Sequence, residues 1–192
     1  MGSQKNEYYE LAYRILMDEA YQLSNDKAYP EAGEAAGYAI GMIMLGRGSC
    51  SQLQDLKNIA SKSQHEKVIR GISMALALMM YGKEEESETL VQELLDSPIP
   101  LLRESAAWVT ALAFVGTASN VALQRLLHLT VSDVNPDVRR AAVIGVGFVL
   151  SRSPKEVPKM VQLLAKSYHP HVRSGAALAL GIACAGTGMK KA

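Results

Sequence analysis

A block of small and aliphatic residues recurs along the chain, and each copy is followed by a polar turn. Five copies align when their last residues are taken as Gly46, Gly82, Gly116, Arg152 and Gly186. These positions follow one another at intervals of about 35 residues. Such a period is typical of a helical hairpin that is repeated along a chain.

The segments between the blocks are more polar, and their apolar residues recur at helical spacing. Leu53, Leu56 and Ile59 show this spacing, which predicts a helix that buries one face. The blocks are apolar nearly all round and therefore predict buried helices. Turn-forming residues such as Pro136 and Pro170 precede them. The pattern predicts an all-α solenoid of about five helix-turn-helix repeats.

Small residues occupy one position in every block, five residues before its end. They are Gly41, Ala77, Ala111, Gly147 and Gly181. Gly37 lies four residues before Gly41 and so on the same helix face. A glycine inside a helix costs about 1 kcal/mol relative to alanine, so close packing must offset it. We expect neighbouring block helices to pack very closely, which would bend the stack into a strongly curved arc or part of a toroid.

Four arginines stand near the starts of the blocks. They are Arg70, Arg103, Arg139 and Arg173, which also recur about once per repeat. Such a row could face the acidic surface of a partner, or it could bond internally to Asp133, Asp137 or carbonyl groups of the preceding turn. The internal role is favoured, because a residue repeated in every unit is most simply explained by the stacking of the units.

Composition narrows the functional classes. The 192 residues are 48% hydrophobic, and 20 basic and 19 acidic side chains leave a net charge of +1. This composition predicts a folded protein without a strong field for nucleic acid or an anionic membrane. The longest uncharged stretch, 105–124, is interrupted by a turn, so no membrane span is expected. Cys50 and Cys184 are expected to be buried, reduced thiols of a cytosolic or nuclear protein.

No constellation of residues predicts catalysis, and we expect neither an enzyme nor a cofactor. The glycine spacing from Gly41 to Ser49 resembles a phosphate loop, but Arg47 replaces the lysine and the intervening residues repeat as helix core. His169 and His171 flank a proline, yet the other His and Cys residues fall in different repeats, so no metal site is expected. Trp108 is expected to fill space between layers.

The blocks resemble PC (proteasome/cyclosome) repeats over about residues 33–188. The stretches that carry the resemblance are GEAAGYAIGMIMLG, GISMALALMMYG and YHPHVRSGAALALGIACAGTG. This resemblance implies part of a non-catalytic scaffold of the proteasome regulatory particle, which organises the ATPase base, the lid and the ubiquitin receptors for ubiquitin-dependent protein degradation. It also implies a location in cytoplasm and nucleus.

A second interpretation rests on the turns. Pro136–Arg139 and Pro170–Arg173 both suit the turn and helix start of a HEAT repeat. A HEAT-type adaptor would bind a protein or peptide partner in a concave groove. The glycine content of the blocks favours the first interpretation, because the inner helices of HEAT repeats are richer in Leu and Ile.

The expected organisation has four parts. Residues 1–3 are a cloning remnant, residues 4–32 are a helical segment that forms the outer helix of a preceding repeat, residues 33–188 are the repeat array, and residues 189–192 are a truncated end. Each repeat buries its apolar face only against its neighbours. We therefore expect the exposed ends of the array to self-associate.

Overall fold

A computed structural model of the chain describes residues 2–21 and 29–188. Parts of the expected organisation lie outside these ranges. They are Met1 of the cloning remnant, residues 22–28 of the N-terminal segment, and the end at residues 189–192.

The described residues contain ten α-helices, one short 3-10 helix and no strand. The helices are α1 Gly2–Tyr21, α2 Pro30–Ile43, α3 Cys50–Lys62, α4 Glu66–Met79, α5 Glu88–Leu95, α6 Pro100–Ala113, α7 Asn120–Ser132, α8 Pro136–Val149, α9 Val157–Ala165 and α10 Pro170–Cys184. The all-α prediction is confirmed.

The five apolar blocks fall on α2, α4, α6, α8 and α10, which we call the block helices, and α3, α5, α7 and α9 are the partner helices. Four block helices begin with a proline, namely Pro30, Pro100, Pro136 and Pro170. Proline suits the first helical position because its missing N–H has no partner there in any helix. The block helices thus begin several residues before the apolar blocks, and α2 begins before the expected boundary at residue 33.

Side chains cap the start of one partner helix, α3, and of one block helix, α8, where Asn135 accepts from the backbone N–H groups of Asp137 and Val138. Ser49 precedes α3, and its hydroxyl accepts from the backbone N–H of Gln52 while the Gln52 side chain accepts from the Ser49 N–H. This reciprocal capping box closes the start of the helix. Three successive glutamates, from Glu84 to Glu86, lie in the 3-10 helix Glu84–Ser87 that precedes α5.

The chain divides into two compact units, residues 1–80 and 81–192. In the first unit, α1 and α4 pack against α2, and α3 packs against α4. In the second unit, α8 packs against both α6 and α10, whereas α5, α7 and α9 pack mainly against the block helix that follows each of them. Each block helix of the second unit is therefore held by its neighbouring block helix and by its partner helix.

The core of the second unit is made of small and branched apolar side chains. Leu126, Val146, Val149 and Leu150 are fully buried in it, together with the alanines of the block helices. None of the helices in the described residues is both long and apolar enough to cross a membrane.

The glycines that end the blocks form the turns between helices. Gly46 and Gly116 have φ values of +64° and +70°, a left-handed conformation that glycine adopts without steric cost. The Gly46 N–H donates to the carbonyl of Leu78 on α4 at 3.0 Å, and the Gly116 N–H donates to that of Phe148 on α8, also at 3.0 Å. Each of these two turns is thus fastened to a neighbouring block helix by the same bond.

Candidate functional site

A common numbering makes the block helices comparable. Their N-cap residues are Tyr29, His65, Ile99, Asn135 and His169, which keep the sequence period of about 35 residues. We number positions from the N-cap, so that Gly41, Ala77, Ala111, Gly147 and Gly181 all stand at position 12. Position 8 is one turn earlier on the same face.

The backbones of α2 and α4 touch in the first unit. A β-carbon built on Gly37, at position 8, would lie 2.4 Å from the carbonyl carbon of Gly71, at position 6 of α4. A β-carbon on Gly41, at position 12, would lie 2.8 Å from the α-carbon of Ala75, at position 10 of α4. No side chain fits at either place without moving the helices apart.

The second unit repeats this contact between α8 and α10. A β-carbon on Gly147, at position 12, would lie 2.6 Å from the α-carbon of Ala179, at position 10. Val143, at position 8, faces Gly175, at position 6. We call this arrangement the stacking register: positions 8 and 12 of one block helix contact positions 6 and 10 of the next.

The contact between α6 and α8 follows the same register with larger side chains. A β-carbon on Gly145, at position 10 of α8, would lie 3.1 Å from the β-carbon of Ala111, at position 12 of α6. Ala77, at position 12 of α4, is also completely buried. Gly71 and Gly175 belong to the register but were not singled out in the sequence, although both stand at position 6 of their helices.

Gly181 has different surroundings from the other position-12 residues. A β-carbon built there would have no atom within 4 Å among the described residues. Ala177, at position 8 of the same helix, is exposed as well. The face of α10 that corresponds to the contact face of α8 is therefore open in this structure.

Two of the arginines fasten block helices to the turns before them. At position 4 of α6, the Arg103 guanidinium donates to the carbonyl of Ser97 at 3.1 Å. At position 4 of α10, the Arg173 guanidinium donates to the carbonyl of Ser167 at 3.0 Å and to that of Tyr168 at 2.9 Å. Both arginines reach back to the residue six positions earlier, which satisfies a carbonyl near the end of the preceding partner helix.

Asp133, in the turn between α7 and α8, accepts hydrogen bonds from both Arg103 and Arg139. Its carboxylate accepts from Arg103 at 2.8 and 3.3 Å, and its backbone carbonyl accepts from Arg139, at position 4 of α8. The carboxylate is only 6% exposed. Burial acts to raise the pKa of Asp133, but the bonds from Arg103 and from the Asn135 N–H, with the charge of Arg139, outweigh it and hold the pKa below its usual value.

Arg70 occupies a different place from the other three arginines. It stands at position 5 of α4, and position 4 is occupied by the buried Ile69. Its side chain is 52% exposed, and its guanidinium lies 4.0 Å from the carboxylate of Glu34 on α2. The one-residue offset, which already shows in the sequence as a shorter interval between Arg70 and Arg103, rotates the side chain by about 100° around the helix.

A recurring turn before the block helices was not recognised in the sequence. Four side-chain oxygens accept a hydrogen bond from the N–H two residues later, which is the N-cap N–H in each case. The residues that supply these oxygens are Ser63, Ser97, Asp133 and Ser167. They recur with the same period as the blocks, so the signal was available in the sequence.

Arg125 and Glu88 form a second ion pair that the sequence did not indicate. One terminal nitrogen of Arg125, on α7, donates to the carboxylate oxygens of Glu88, at the start of α5, at 2.6 and 2.7 Å. The Arg125 side chain is 14% exposed. The hydrogen bond from Arg125 lowers the pKa of Glu88. The pair joins two partner helices of the second unit.

The candidate phosphate-binding and metal-binding residues lie in helices or at helix starts. Gly41 lies inside α2, which continues to Ile43, and its packing against α4 leaves no loop for a phosphate. His169 is the N-cap of α10, and His171 is exposed on its first turn. Within the described ranges, no group of three or more His, Cys, Asp and Glu side chains could hold a metal ion.

The cysteines and the tryptophan complete the set of sequence candidates. Both cysteines are free, but Cys50 is exposed at the first position of α3, so the expectation that it is buried is wrong. Cys184 is half-buried. The Trp108 ring packs edge-on against Phe148 with ring centres 6.4 Å apart, and its N–H donates to Glu104 at 3.2 Å.

Comparison with known proteins identifies the repeat and its relatives. The family described as HEAT repeats matches residues 53–147 and 123–188, which together exceed half of the chain. The 26S proteasome non-ATPase regulatory subunit 1 of Drosophila melanogaster is 47% identical over 193 residues, which cover all of this chain and 18% of that protein. The 26S proteasome regulatory subunit RPN2 of Candida glabrata is 48% identical over 192 residues, again all of this chain and 19% of that protein.

A relative from a third organism gives a similar result over part of the chain. The 26S proteasome non-ATPase regulatory subunit 1 of Dictyostelium discoideum is 52% identical over 140 residues, covering 73% of this chain and 14% of that protein. The chain spans less than a fifth of the length of these curated relatives. The chain belongs to the HEAT-repeat family, and it is homologous to a segment of the non-ATPase regulatory subunit 1, or RPN2, of the 26S proteasome.

Proposed function

We propose that this chain is a non-catalytic scaffold segment of the proteasome regulatory particle and acts by presenting surfaces to other subunits. The observation that carries the proposal is the identity of 47% over the full length of the chain to a protein named as a non-ATPase regulatory subunit. The surroundings of the candidate residues support it, because the glycines, arginines and histidines serve helix packing and helix starts rather than a reaction.

The stacking register supplies the structural side of the proposal. We propose that positions 8 and 12 of the block helices, with Gly37, Gly41, Ala77, Ala111, Gly147 and Gly181 as their small residues, set the spacing along an array of about five PC-type repeats. Contact between backbones on the block-helix side, with larger leucine-rich helices on the other side, favours a strongly curved arc or part of a toroid. Residues 33–188 would form this array.

The arginines have a supporting role in the proposal. Arg103, Arg139 and Arg173 tie each block helix of the second unit to the turn before it, which fixes the angle at which one hairpin follows another. Arg70, which is half-exposed and one residue out of register, would contribute little to this function. A row of arginines facing a partner is less well supported, because three of them already use donors on their own turns.

The partners proposed for the longer protein are those of the regulatory particle. They are the ATPase base, the lid and the ubiquitin receptors, in cytoplasm and nucleus, with neither nucleic acid nor membrane as a ligand.

We also propose that the isolated chain self-associates through the open face of α10. Ala177→Arg would place a charge on that face, and it should convert an associating species into a monomer in sedimentation at high concentration.

Affinity capture from cell lysate tests the scaffold function. The tagged chain and a full-length subunit from the same source are each used as bait, and bound proteins are identified by mass spectrometry. Enrichment of the proteasome ATPases or lid subunits by both baits is the expected result. Failure of the full-length subunit to enrich them would overturn the proposal and leave a HEAT-type adaptor as the second candidate, because the chain matches the HEAT-repeat family.

If only the full-length subunit enriches the proteasome ATPases or lid subunits, the scaffold proposal stands but this segment does not itself bind those partners. This result would assign the partner surfaces to other parts of the longer protein and leave this segment as ring structure. Gly147→Leu, introduced into the full-length subunit, should then abolish assembly by forcing α8 and α10 apart, because the β-carbon alone already meets backbone atoms.

A further inference from the structure

The near-zero net charge of the chain hides a separation of charge within the second unit. Residues 84–104 contain seven carboxylate side chains and a single basic residue, Arg103. Residues 139–188 show the reverse, with seven Lys and Arg side chains and a single carboxylate, Glu156. The C-terminal part of this unit is therefore strongly basic at neutral pH, although the whole chain is not.

The lysines of this basic part gather on one partner helix. Lys159 is exposed on α9, Lys166 is exposed as the residue directly after its end, and Lys155 is exposed just before its start. None of the three forms an ion pair with a carboxylate in the described part of the chain. The arginines of the same region differ, because Arg139 and Arg173 donate to backbone carbonyls of their own turns.

An apolar element lies among these lysines. Lys159, Leu163 and Lys166 stand at i, i+4 and i+7 and so share one face of α9. Leu163 is 78% exposed, which is unusual for a leucine in the middle of an amphipathic helix. Tyr168 follows in the next turn and is 92% exposed. We call Lys155, Lys159, Leu163, Lys166 and Tyr168 the α9 face.

The opposite face of α9 is the one that packs against the rest of the unit. Val157 and Val161 are buried against the rest of the unit, so the helix already has an inward apolar side. The outward side also carries Leu163, which is mostly exposed and lies outside the buried core of the unit. An apolar side chain that stays exposed beside charged ones is available to pack against another chain.

From this geometry we infer that the α9 face docks an acidic segment of a partner protein that carries at least one large apolar side chain. The lysines would receive the carboxylates, and Leu163 with Tyr168 would receive the apolar side chain between them. Charge complementarity selects this occupant, because Lys159 and Lys166 share a helix face with the exposed leucine and neither forms an ion pair within the described residues. The inference rests on the proposed scaffold role, of which it names one partner surface.

A protein segment fits the face better than a nucleic acid does. Single-stranded nucleic acids are held by several aromatic rings interleaved with basic residues, whereas the α9 face offers one tyrosine and an aliphatic centre. Leucine at the centre matches an aliphatic or aromatic side chain, not a sugar-phosphate backbone.

Fluorescence anisotropy with two synthetic peptides tests the inference on the purified chain. Both labelled peptides have the same length and the same number of Asp and Glu residues, and they differ only in carrying two Leu or two Ser at the centre. The Leu peptide should bind more tightly, and its binding should weaken as the NaCl concentration rises from about 50 to about 300 mM, because exposed ion pairs are screened. Leu163→Ser should remove the difference between the two peptides.

Charge-reversal variants locate the binding surface. Lys159→Glu with Lys166→Glu should weaken binding of the Leu peptide by about tenfold or more, since two attractions become repulsions. The matched control, Arg47→Glu with Lys62→Glu, makes the same charge change at exposed positions of the first unit and should weaken binding by less than about twofold. Circular dichroism and thermal unfolding would verify that both double variants are folded.

Several results would overturn the inference. They are no binding of the Leu peptide, equal loss in both double variants, or equally tight binding of a single-stranded oligonucleotide of the same charge at the same face. A salt-sensitive dimer that Lys159→Glu with Lys166→Glu disperses would also overturn it, by making a second copy the occupant. None of these results bears on capture of proteasome subunits by the full-length protein, so failure here is distinct from failure of the scaffold proposal.

Discussion

Helices α8 and α10 carry the same small residue at the same repeat position but use it in opposite ways. At Gly147, on α8, the backbone of the next block helix fills the space that a side chain would need. At Gly181, on α10, that space is empty among the described residues. Glycine costs both helices about 1 kcal/mol in propensity, and within the described residues α8 alone of the two recovers this through a close contact.

The difference shows what a repeating sequence can and cannot specify. Periodicity fixes which residues share a face, because position 12 follows position 8 by about one helical turn. It does not specify whether a neighbouring helix covers that face, since coverage depends on the elements that follow. The repeat position alone therefore does not predict the effect of a substitution.

The largest loss of stability is expected from a substitution in the first unit. Gly37→Ala should lower the free energy of unfolding by about 3 kcal/mol, because the new β-carbon meets the backbone of Gly71 and the helices must separate. Ala35→Gly, at an exposed position of the same helix, is the control and should cost about 1 kcal/mol through propensity alone. Urea denaturation followed by circular dichroism measures both. Equal losses would show that the backbone contact does not govern stability.

Replacing Arg103 should give the next largest loss of stability. Arg103→Met should cost about 2 kcal/mol, because it leaves the buried carboxylate of Asp133 without its ionic partner. Arg70→Met should cost less than about 0.5 kcal/mol, because the Arg70 guanidinium is half-exposed and only distantly paired. The same denaturation experiment compares them. Similar costs for the two variants would contradict the distinction between positions 4 and 5.

The ion pair of Arg103 and Asp133 should also make stability depend on pH, with a smaller effect. The pKa of Asp133 is lower in the folded protein than the value of 3.8 expected for the unfolded chain. The ionised carboxylate therefore stabilises the fold above that value, and this stabilisation is lost as pH falls through the folded pKa. Below about pH 4, wild type should lose stability more steeply than Asp133→Asn in thermal unfolding. Parallel curves would show that Asp133 does not contribute.

The fold was predictable from the sequence in its main features because they depend on local pattern. The helical period, the buried character of the blocks and the close approach at Gly37 and Gly147 follow from apolar spacing and from the need to offset the cost of glycine. The complementary glycines at position 6, Gly71 and Gly175, required knowledge of how neighbouring helices are offset, which a single helix pattern does not contain.

The candidate site was less predictable because it depends on contacts between elements. The pairing of Arg103 with Asp133 joins residues 30 positions apart, and that of Arg125 with Glu88 joins residues 37 positions apart. Nothing in the local spacing selects these partners from the other charged residues. The exposure of Cys50 was missed for a similar reason, because it stands at the start of an amphipathic helix whose orientation is set by Leu53 and Leu56.

The stacking register is tested most directly by one pair of variants. Gly147→Ala and Gly181→Ala make the same change at position 12 of two block helices, and urea denaturation gives the free energy of unfolding of each. Gly147→Ala should destabilise by about 3 kcal/mol through overpacking, whereas Gly181→Ala should stabilise by about 0.5 to 1 kcal/mol through helix propensity. A change of the same sign and size in both variants would contradict the register.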